Sequence, residues 1–598
     1  MIIRLAEYAA QFLVDNNITD MFTVTGGGAM FLNNAFGHQK GLKCTYNHHE
    51  QACAIAAEGY YRATGKLPAV CVTTGPGGTN ALTGVLGSWL DSIPMLVISG
   101  QVKFSTTIKS TEVPLRQLGD QEFNITDCVK TMSKYAEMIT DPLKIKYYLK
   151  KAIFIATHGR PGPVWLDIPI NVQSAKIDTD KLVEYDESED AKEIVPAPDV
   201  SVAEQVLDKI HNAKRPVLFV GEGVRIAGMK DQLTSLIEKL AIPVVTAWNA
   251  EDLVADANKF NCGRPGTVGT RGGNFVVQNA DLVLNLGCRL NIRQISYNYE
   301  NFAKNAELIS VDIDEGELNK PTLKVAIKIH ADLKDFIPML CSGKYECNHE
   351  QKLWLGWAQN INVKYPGTIP GYYNKEQPAN PYVFIKDMSE ALSEGETVVC
   401  SNGSACVCSF QAMKIKDNQR IFTNSGCAAM GYGLPAAIGA AVALKGKRVI
   451  CLEGDGSIQM NIQELQTAVY NKLNLKIFYL NNQGYHSIRQ TQTNAFNSAF
   501  CGVGEKNDGL SFPQAKKLAK AYGIKYFCIK SNKNITAAVR KIINCKSTTI
   551  CEVILDKTQF FSPKLSSKTL PDGKIVSPSL EDMYPFLSEN EMKENKLN

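Results

Sequence analysis

The feature that most restricts this chain is an acidic turn followed by a pair of amides, with 27 residues from Asp455 to Asn482. The run VICLEGDG puts Asp455 between Gly454 and Gly456 at the end of an apolar strand, and LKIFYLNN closes a second strand on Asn481 and Asn482. The interval holds a turn, a helix carrying Asn461, Glu464 and Leu465, and a return strand, so both strand ends meet on one sheet edge. A carboxylate and an amide there are hard oxygen ligands, suited to Mg²⁺ carrying phosphate oxygens. A lone Gly-Asp-Gly is as often a plain tight connection. The spacing to the amide pair makes it a diphosphate-anchoring site.

A second feature lies far upstream, in CTYNHHEQACAIAAEGYYRATGK. It sets Glu50 after a short strand and before an Ala-rich helix, where a catalytic group projects from a strand end. Alone, such a glutamate only complements the helix dipole. The acidic turn and amide pair resemble the thiamine diphosphate (ThDP) motif of the decarboxylase and carboligase superfamily. The Glu50 segment, with VCVTTGPGGTNALTGVLGSWLDSIPMLVISGQV, resembles the acetolactate synthase (acetohydroxyacid synthase) group, and the resemblance covers most of residues 1 to 560.

The resemblance implies roles residue by residue. Asp455, Asn482 and the carbonyl of Gly484 would bind Mg²⁺, and Gly454, Gly456, Ser457 and Tyr485 would contact the cofactor. Met430, in NSGCAAMGYGLPAAIG, would prop ThDP in its bent form, although a methionine there also serves as core filler. Glu50 would press on the pyrimidine nitrogen and drive the tautomer shift that removes the thiazolium proton. Gln121, in RQLGDQEFNI, corresponds to the glutamine placed over the thiazolium. The family's pyrimidine domain faces the diphosphate domain of a neighbouring subunit, so Glu50 and Asp455 would meet across the interface of a dimer or tetramer.

Composition and chain organisation agree with this. With 598 residues, the chain can bury three cores. The 64 basic and 60 acidic residues form no basic stripe, which speaks against nucleic-acid binding. No charge-free apolar span has membrane length, and MIIRLAEYAAQFLVDNN is no signal peptide. The 17 cysteines are scattered, with Cys406 and Cys408 too close for a zinc pair, and read as reduced thiols of a cytoplasmic enzyme. Alternating strand and helix patterns predict three α/β domains with doubly wound parallel sheets. They span a pyrimidine domain at 1–180, a middle domain at 195–345 and a diphosphate domain at 375–560, with a tail at 561–598 frayed over its last six residues.

Departures from the synthase pattern fall where an acceptor would bind. Asp120 takes the place of a phenylalanine, Ile170 of a lysine and Thr491 of a tryptophan, while His486 and Arg489 bring polar groups to the same loop. Loss of the lysine removes a cation from a keto-acid carboxylate, and Arg489 is a candidate partner for an anionic acceptor; His486 is equally a satisfied surface imidazole. In the middle domain GRPGTVGTRGGN, Arg289 and Asp312 resemble flavin-contacting segments, so FAD is a further expected cofactor, against a vestigial empty domain. The expected function is a ThDP- and Mg²⁺-dependent carboligase. It would decarboxylate pyruvate or a similar 2-keto acid and transfer the two-carbon acyl-anion unit to a 2-keto acid or a larger polar acceptor such as a nucleotide-linked keto-sugar. The alternatives are a decarboxylase or lyase, and a non-catalytic ThDP-binding homologue.

Overall fold

The computed structural model describes residues 1–374, 376–569 and 573–597; positions 375, 570–572 and 598 lie outside the described residues, the last four within the expected tail. Near-continuous apolar runs such as AVCV and LVLNL suit strands covered on both faces, and they form the three expected parallel α/β sheets. The first sheet runs in space Lys43–Tyr46, Asp20–Thr23, Ala69–Val72, Met95–Gln101, Pro163–Pro169, Tyr135–Met138. The third runs Arg420–Phe422, Thr397–Cys400, Val449–Gly454, Leu475–Asn481, Thr549–Ile554, Lys525–Ile529. Numbered along the chain, both follow the order second, first, third, fourth, sixth, fifth. Between them lies a five-stranded sheet, Val244–Thr246, Pro216–Val220, Leu282–Leu286, Glu307–Asp312 and Ile327–His330. Order reverses between the first and third strands of each sheet, and ligands of such sheets bind beyond the strand carboxyl ends at that point.

The outer domains share one apolar core, built on the helices Glu50–Thr64 and Gly433–Ala443. The sequence GLPAAIGAAVA is apolar on every side, and such a helix is stable only when enclosed. Glycines let the two backbones touch. A Cβ on Gly59 would sit 2.1 Å from the Ala436 carbonyl oxygen, and one on Gly439 would sit 1.8 Å from that of Ala56. These pairs make the helices antiparallel, so Glu50 lies toward the Ala443 end and away from the Met430 loop.

The C-terminal segment is not the free tail that its polarity suggests. Leu580 enters the middle-domain core, Arg271 Nη2 donates to the Pro585 carbonyl at 2.7 Å, and Leu597 N donates to Asn279 Oδ1 at 2.7 Å. Buried side-chain amides and guanidinium groups of the middle domain find their acceptors here. Polarity marks a docked strap, and the expectation of a frayed end is corrected for residues 593–597.

The helix contact gives a test. Gly439→Ala forces the two backbones apart at a point with no flexible side chain to yield, and overpacking of this kind costs about 1–3 kcal/mol. Thermal unfolding should begin several degrees lower; an unchanged melting profile would show that the close approach carries no stability.

Candidate active site

The acidic turn is held by the neighbouring strand end. Asp455 N donates to the Leu480 carbonyl at 3.1 Å; the Asp455 carboxylate accepts from Gly456 N at 3.0 Å and Gly484 N at 2.8 Å. Its side chain is 3 % exposed, and burial pushes its pKa up to about 7, against the two backbone donors. No cationic side chain pairs with it among the described residues. Arg489 acts on it only at a distance, and a buried carboxylate with no direct ion pair has the chemistry of a cation ligand. Asn481 donates to Glu552 Oε1 at 2.7 Å, whereas the buried Asn482 amide has no side-chain bond among the described residues. Gly484 has φ +129°, and a Cβ there would lie 1.9 Å from the Val503 carbonyl oxygen. Since its N–H is engaged with Asp455, its carbonyl is the group left for a cation. These groups fit Mg²⁺.

Around this turn the sequence-nominated residues assemble as one cradle. Gly456 leaves room for the Tyr485 ring, whose Cε1 would be 2.3 Å from a Cβ. Ser457 Oγ accepts from Gly431 N at 2.8 Å and lies 3.0 Å from Ser401 Oγ, tying the half-exposed Met430 to the acidic motif. Gly454 ends the strand beneath them. The helix Ser404–Ala412 starts at the same sheet edge, with the buried Ser404 hydroxyl unpartnered among the described residues. An orphan donor beside an acidic cation site suits a diphosphate.

Glu50 forms a second cluster. It is 9 % exposed, and its Oε2 accepts from Asn80 Nδ2 at 3.0 Å. The Gly75–Gly77 turn brings Gln121 beside it. A Cβ on Gly75 would be 2.3 Å from the Gln121 carbonyl oxygen, and one on Gly77 would be 3.6 Å from Glu50 Oε1. Asp120 is exposed next to Gln121, and Ile170 is half-buried at the start of the short helix after Pro163–Pro169. Within one chain the Glu50 and Asp455 clusters share no direct contact among the described residues.

Glu464 was passed over in the sequence as an ordinary helix residue. Fully buried, it accepts from Asn47 Nδ2 at 2.8 Å and His48 N at 3.0 Å, fixing the turn that leads into Glu50. Its only sequence signal is an acid in the first turn of the helix that follows the acidic motif.

Two acceptor-site expectations need correction. Arg489 is 3 % exposed and donates to the carbonyls of Asn482 at 3.0 Å and Gln483 at 2.7 Å, while its Nε pairs with Glu505 at 2.7 Å. It braces the amide turn and offers no open cation to an acceptor. His486 is buried against Phe560 and Phe561, with ring centroids 5.9 and 5.3 Å away. Burial, then Arg489, lowers its pKa to about 4, so it is a neutral wedge facing the 556–561 segment. Thr491 does lie exposed, its hydroxyl bonded to the Ser487 carbonyl.

A separate cavity of about 280 Å³ opens between the middle domain and the outer pair, lined by Asp91, Gly221, Trp248, Arg289, Arg293 and Asp312. Asp312 ends its strand, and burial raises its pKa to about 6. Arg289 Nη2 reaches only to 3.9 Å from Asp91, and the buried Trp248 Nε1 has no hydrogen-bond partner among the described residues. Gly221 serves close packing here: a Cβ would lie 2.2 Å from the Gly287 carbonyl oxygen. The free donors suit a nucleotide phosphate, but the volume is at the lower end for a small-molecule site, about 300 Å³. Part of a flavin dinucleotide would lie beyond it.

Comparison with known families agrees with this architecture. Residues 3–122 match the thiamine pyrophosphate enzyme N-terminal TPP binding domain, 203–340 the central domain and 401–553 the C-terminal TPP binding domain. The chain belongs to the thiamine pyrophosphate enzymes. Among its relatives, the probable acetolactate synthase large subunit of Methanococcus aeolicus is 30 % identical over 93 % of each chain. The acetolactate synthase large subunit of Lactococcus lactis is 29 % identical over 99 % of this chain and 98 % of its own. That of Cyanidium caldarium is 29 % identical over 93 % of both. The protein is an acetolactate synthase-like, ThDP-dependent enzyme. No described helix is long and apolar enough to cross a membrane.

The bracing role of Arg489 is testable. Arg489→Met should orphan two buried carbonyls and weaken ThDP and Mg²⁺ retention about tenfold or more, without changing acceptor preference. Altered preference with intact cofactor affinity would return Arg489 to the acceptor pocket.

Proposed function

We propose that this enzyme is a carboligase that takes a two-carbon unit from pyruvate or a similar 2-keto acid and joins it to a carbonyl acceptor. The observation that carries the reading is the pair of separate clusters on one chain: a buried cation-type carboxylate turn at Asp455, and a buried Glu50 with Gln121 beside it. Asp455, Asn482 and the Gly484 carbonyl would hold Mg²⁺, and Ser457, Ser404 and Tyr485 would line the diphosphate cradle. When bound, ThDP supplies the carbon nucleophile that lets CO₂ leave and a new carbon–carbon bond form. Glu50 would hold and release a proton toward the pyrimidine, Met430 would support the bound cofactor, and Gln121 would line the acceptor side of the site.

The antiparallel helix register keeps Glu50 from its own Asp455. We therefore place the active site between two subunits, Glu50 from one and Asp455 from the other, in a dimer or a tetramer built from dimers. All 17 cysteines are free, in keeping with the reducing cytoplasm.

For the acceptor, Ile170 and Thr491 stand where the synthases carry a lysine and a tryptophan, and both are accessible. The missing cation and missing aromatic wall favour a larger polar acceptor over a second keto acid, with a nucleotide-linked keto-sugar as the leading candidate. With Arg489 and His486 withdrawn, this reading rests on loss of contacts. Loss of a charge contact to a carboxylate is worth about 1.5–3 kcal/mol, roughly ten- to a hundredfold in specificity. Mass spectrometry of products formed from pyruvate with equal pyruvate and keto-sugar acceptors should show the branched sugar dominant. Acetolactate alone would make this an acetolactate synthase with an altered pocket.

For the middle cavity we propose FAD, its nucleotide phosphates near Arg289 and Arg293. Purified protein should release a yellow chromophore on denaturation, reduced in Arg289→Ala. Protein that remains colourless and fully active after incubation with FAD would remove the flavin.

A further inference from the structure

The first domain holds a buried carboxylate that the proposed chemistry does not use. Asp167 lies in the strand Pro163–Pro169, 0 % exposed and with no cationic partner among the described residues. Burying a carboxylate without a counter-charge is costly, and an apolar residue would fill a strand centre at less expense. Its bonds show what it holds. Asp167 accepts from Ser99 Oγ at 2.6 Å and Gln101 Nε2 at 3.0 Å, and the same Ser99 hydroxyl accepts from Trp165 Nε1 at 2.8 Å. Burial pushes the Asp167 pKa up to about 7, with Ser99 and Gln101 pulling the other way.

The chain of bonds continues outward. Gln101 Nε2 also donates to the Phe123 carbonyl at 3.0 Å, and Gln101 Oε1 accepts from Val102 N at 3.0 Å. While ionised, the carboxylate only accepts, so it dictates which end of the Gln101 amide points inward. An amide at 167 would allow either orientation. The segment that Gln101 clamps begins and ends on the sheet edge beside Glu50. Its start is fixed by Phe104 N donating to Asn171 Oδ1 at 2.9 Å. Its end is folded around the buried Glu122, which accepts from Ile108 N at 3.0 Å and Leu118 N at 3.1 Å. Between Glu122 and the exposed turn stands Gln121, with φ +59°. A non-glycine residue in that region persists only where the surroundings hold it.

We propose that Asp167 is a positioning residue: through Gln101 and the Phe123 carbonyl it holds the Gln121 turn against Gly75, beside Glu50. The proposal rests on the reading of Gln121 as a group that lines the acceptor side of the site. Its structural half can be tested without that reading.

The test uses full-length protein carrying Asp167→Asn or Gln101→Leu; the second leaves the Asp167–Ser99–Trp165 bonds in place. Amide hydrogen exchange over residues 117–123 should be about tenfold faster in both variants, with the strands Ala69–Val72 and Val449–Gly454 unchanged. In turnover with pyruvate and an acceptor, the ratio of released acetaldehyde to ligated product should rise about tenfold, as in Gln121→Ala, while exchange of the thiazolium proton of bound ThDP stays at the wild-type rate. Combining Gln101→Leu with Gln121→Ala should add nothing to the Gln121→Ala ratio. Unchanged exchange over 117–123 in Gln101→Leu overturns the proposal. So does faster exchange with an unaltered product ratio, or a ratio that multiplies in the double variant. If wild-type protein forms no ligated product, the carboligase reading fails, and exchange over 117–123 still decides whether Asp167 positions the turn.

Discussion

The arrangement of the three domains depends on a buried set of charges where they meet. Arg62 from the first domain pairs with Glu58 at 2.7 Å and Asp91 at 2.6 Å. Glu58 accepts from Asn424 and Tyr432 of the third domain, and Asp91 from the backbone of Ser425 and Gly426. Arg420 completes the joint, donating to the Arg62 carbonyl at 2.9 Å and to Asp252 and Glu222 of the middle domain. Isolated buried charges are unfavourable, and removal of one member leaves its partners stranded. That penalty enforces one relative placement of the domains, which sliding apolar surfaces would not. The same joint reaches the loop before Met430 on one side and the middle cavity, through Asp91, on the other.

Two outer sheets with the same strand order have been put to different uses. Over the third sheet the ends of the third and fourth strands carry Asp455 and the Asn481–Asn482 pair. Over the first sheet the corresponding ends carry the Gly75–Gly77 turn and Gln101, which organise Glu50 and Gln121. In the proposed reading, one sheet edge would bind phosphate through a cation and the other would present a carboxylate to a ring. The two helices at the core run antiparallel and hold the two edges apart within the chain, which is the ground for proposing that a second copy completes the site.

Much of this was legible in the sequence. The apolar strand runs and the Asp-to-Asn interval indicated parallel sheets and the meeting of Asp455 with the Asn481–Asn482 pair at one sheet edge, since that spacing is fixed by one crossover. Glu50 was legible through its flanking residues. Long-range partners were not. Arg489 looked like a free cation because the carbonyls it braces and Glu505 come together only on folding, and His486 looked like a surface imidazole because Phe560 and Phe561 are distant in sequence. Glu464, Asp167 and the docked C-terminal strap share that cause: polar groups in unremarkable positions acquire meaning from partners brought to them by the fold, from the neighbouring strand for Asp167 and from hundreds of residues away for Glu464 and the strap.

The central claim is that one active site is built from Glu50 of one subunit and Asp455 of another. It is tested most directly by mixing two inactive variants, Glu50→Gln and Asp455→Ala, after dissociation and reassociation. In a mixed dimer one of the two sites has both native residues, so random pairing should restore about a quarter of wild-type activity. If both residues act within one chain, every site in the mixture carries a defect. The mixture would then stay as inactive as its components, and that result would contradict the account.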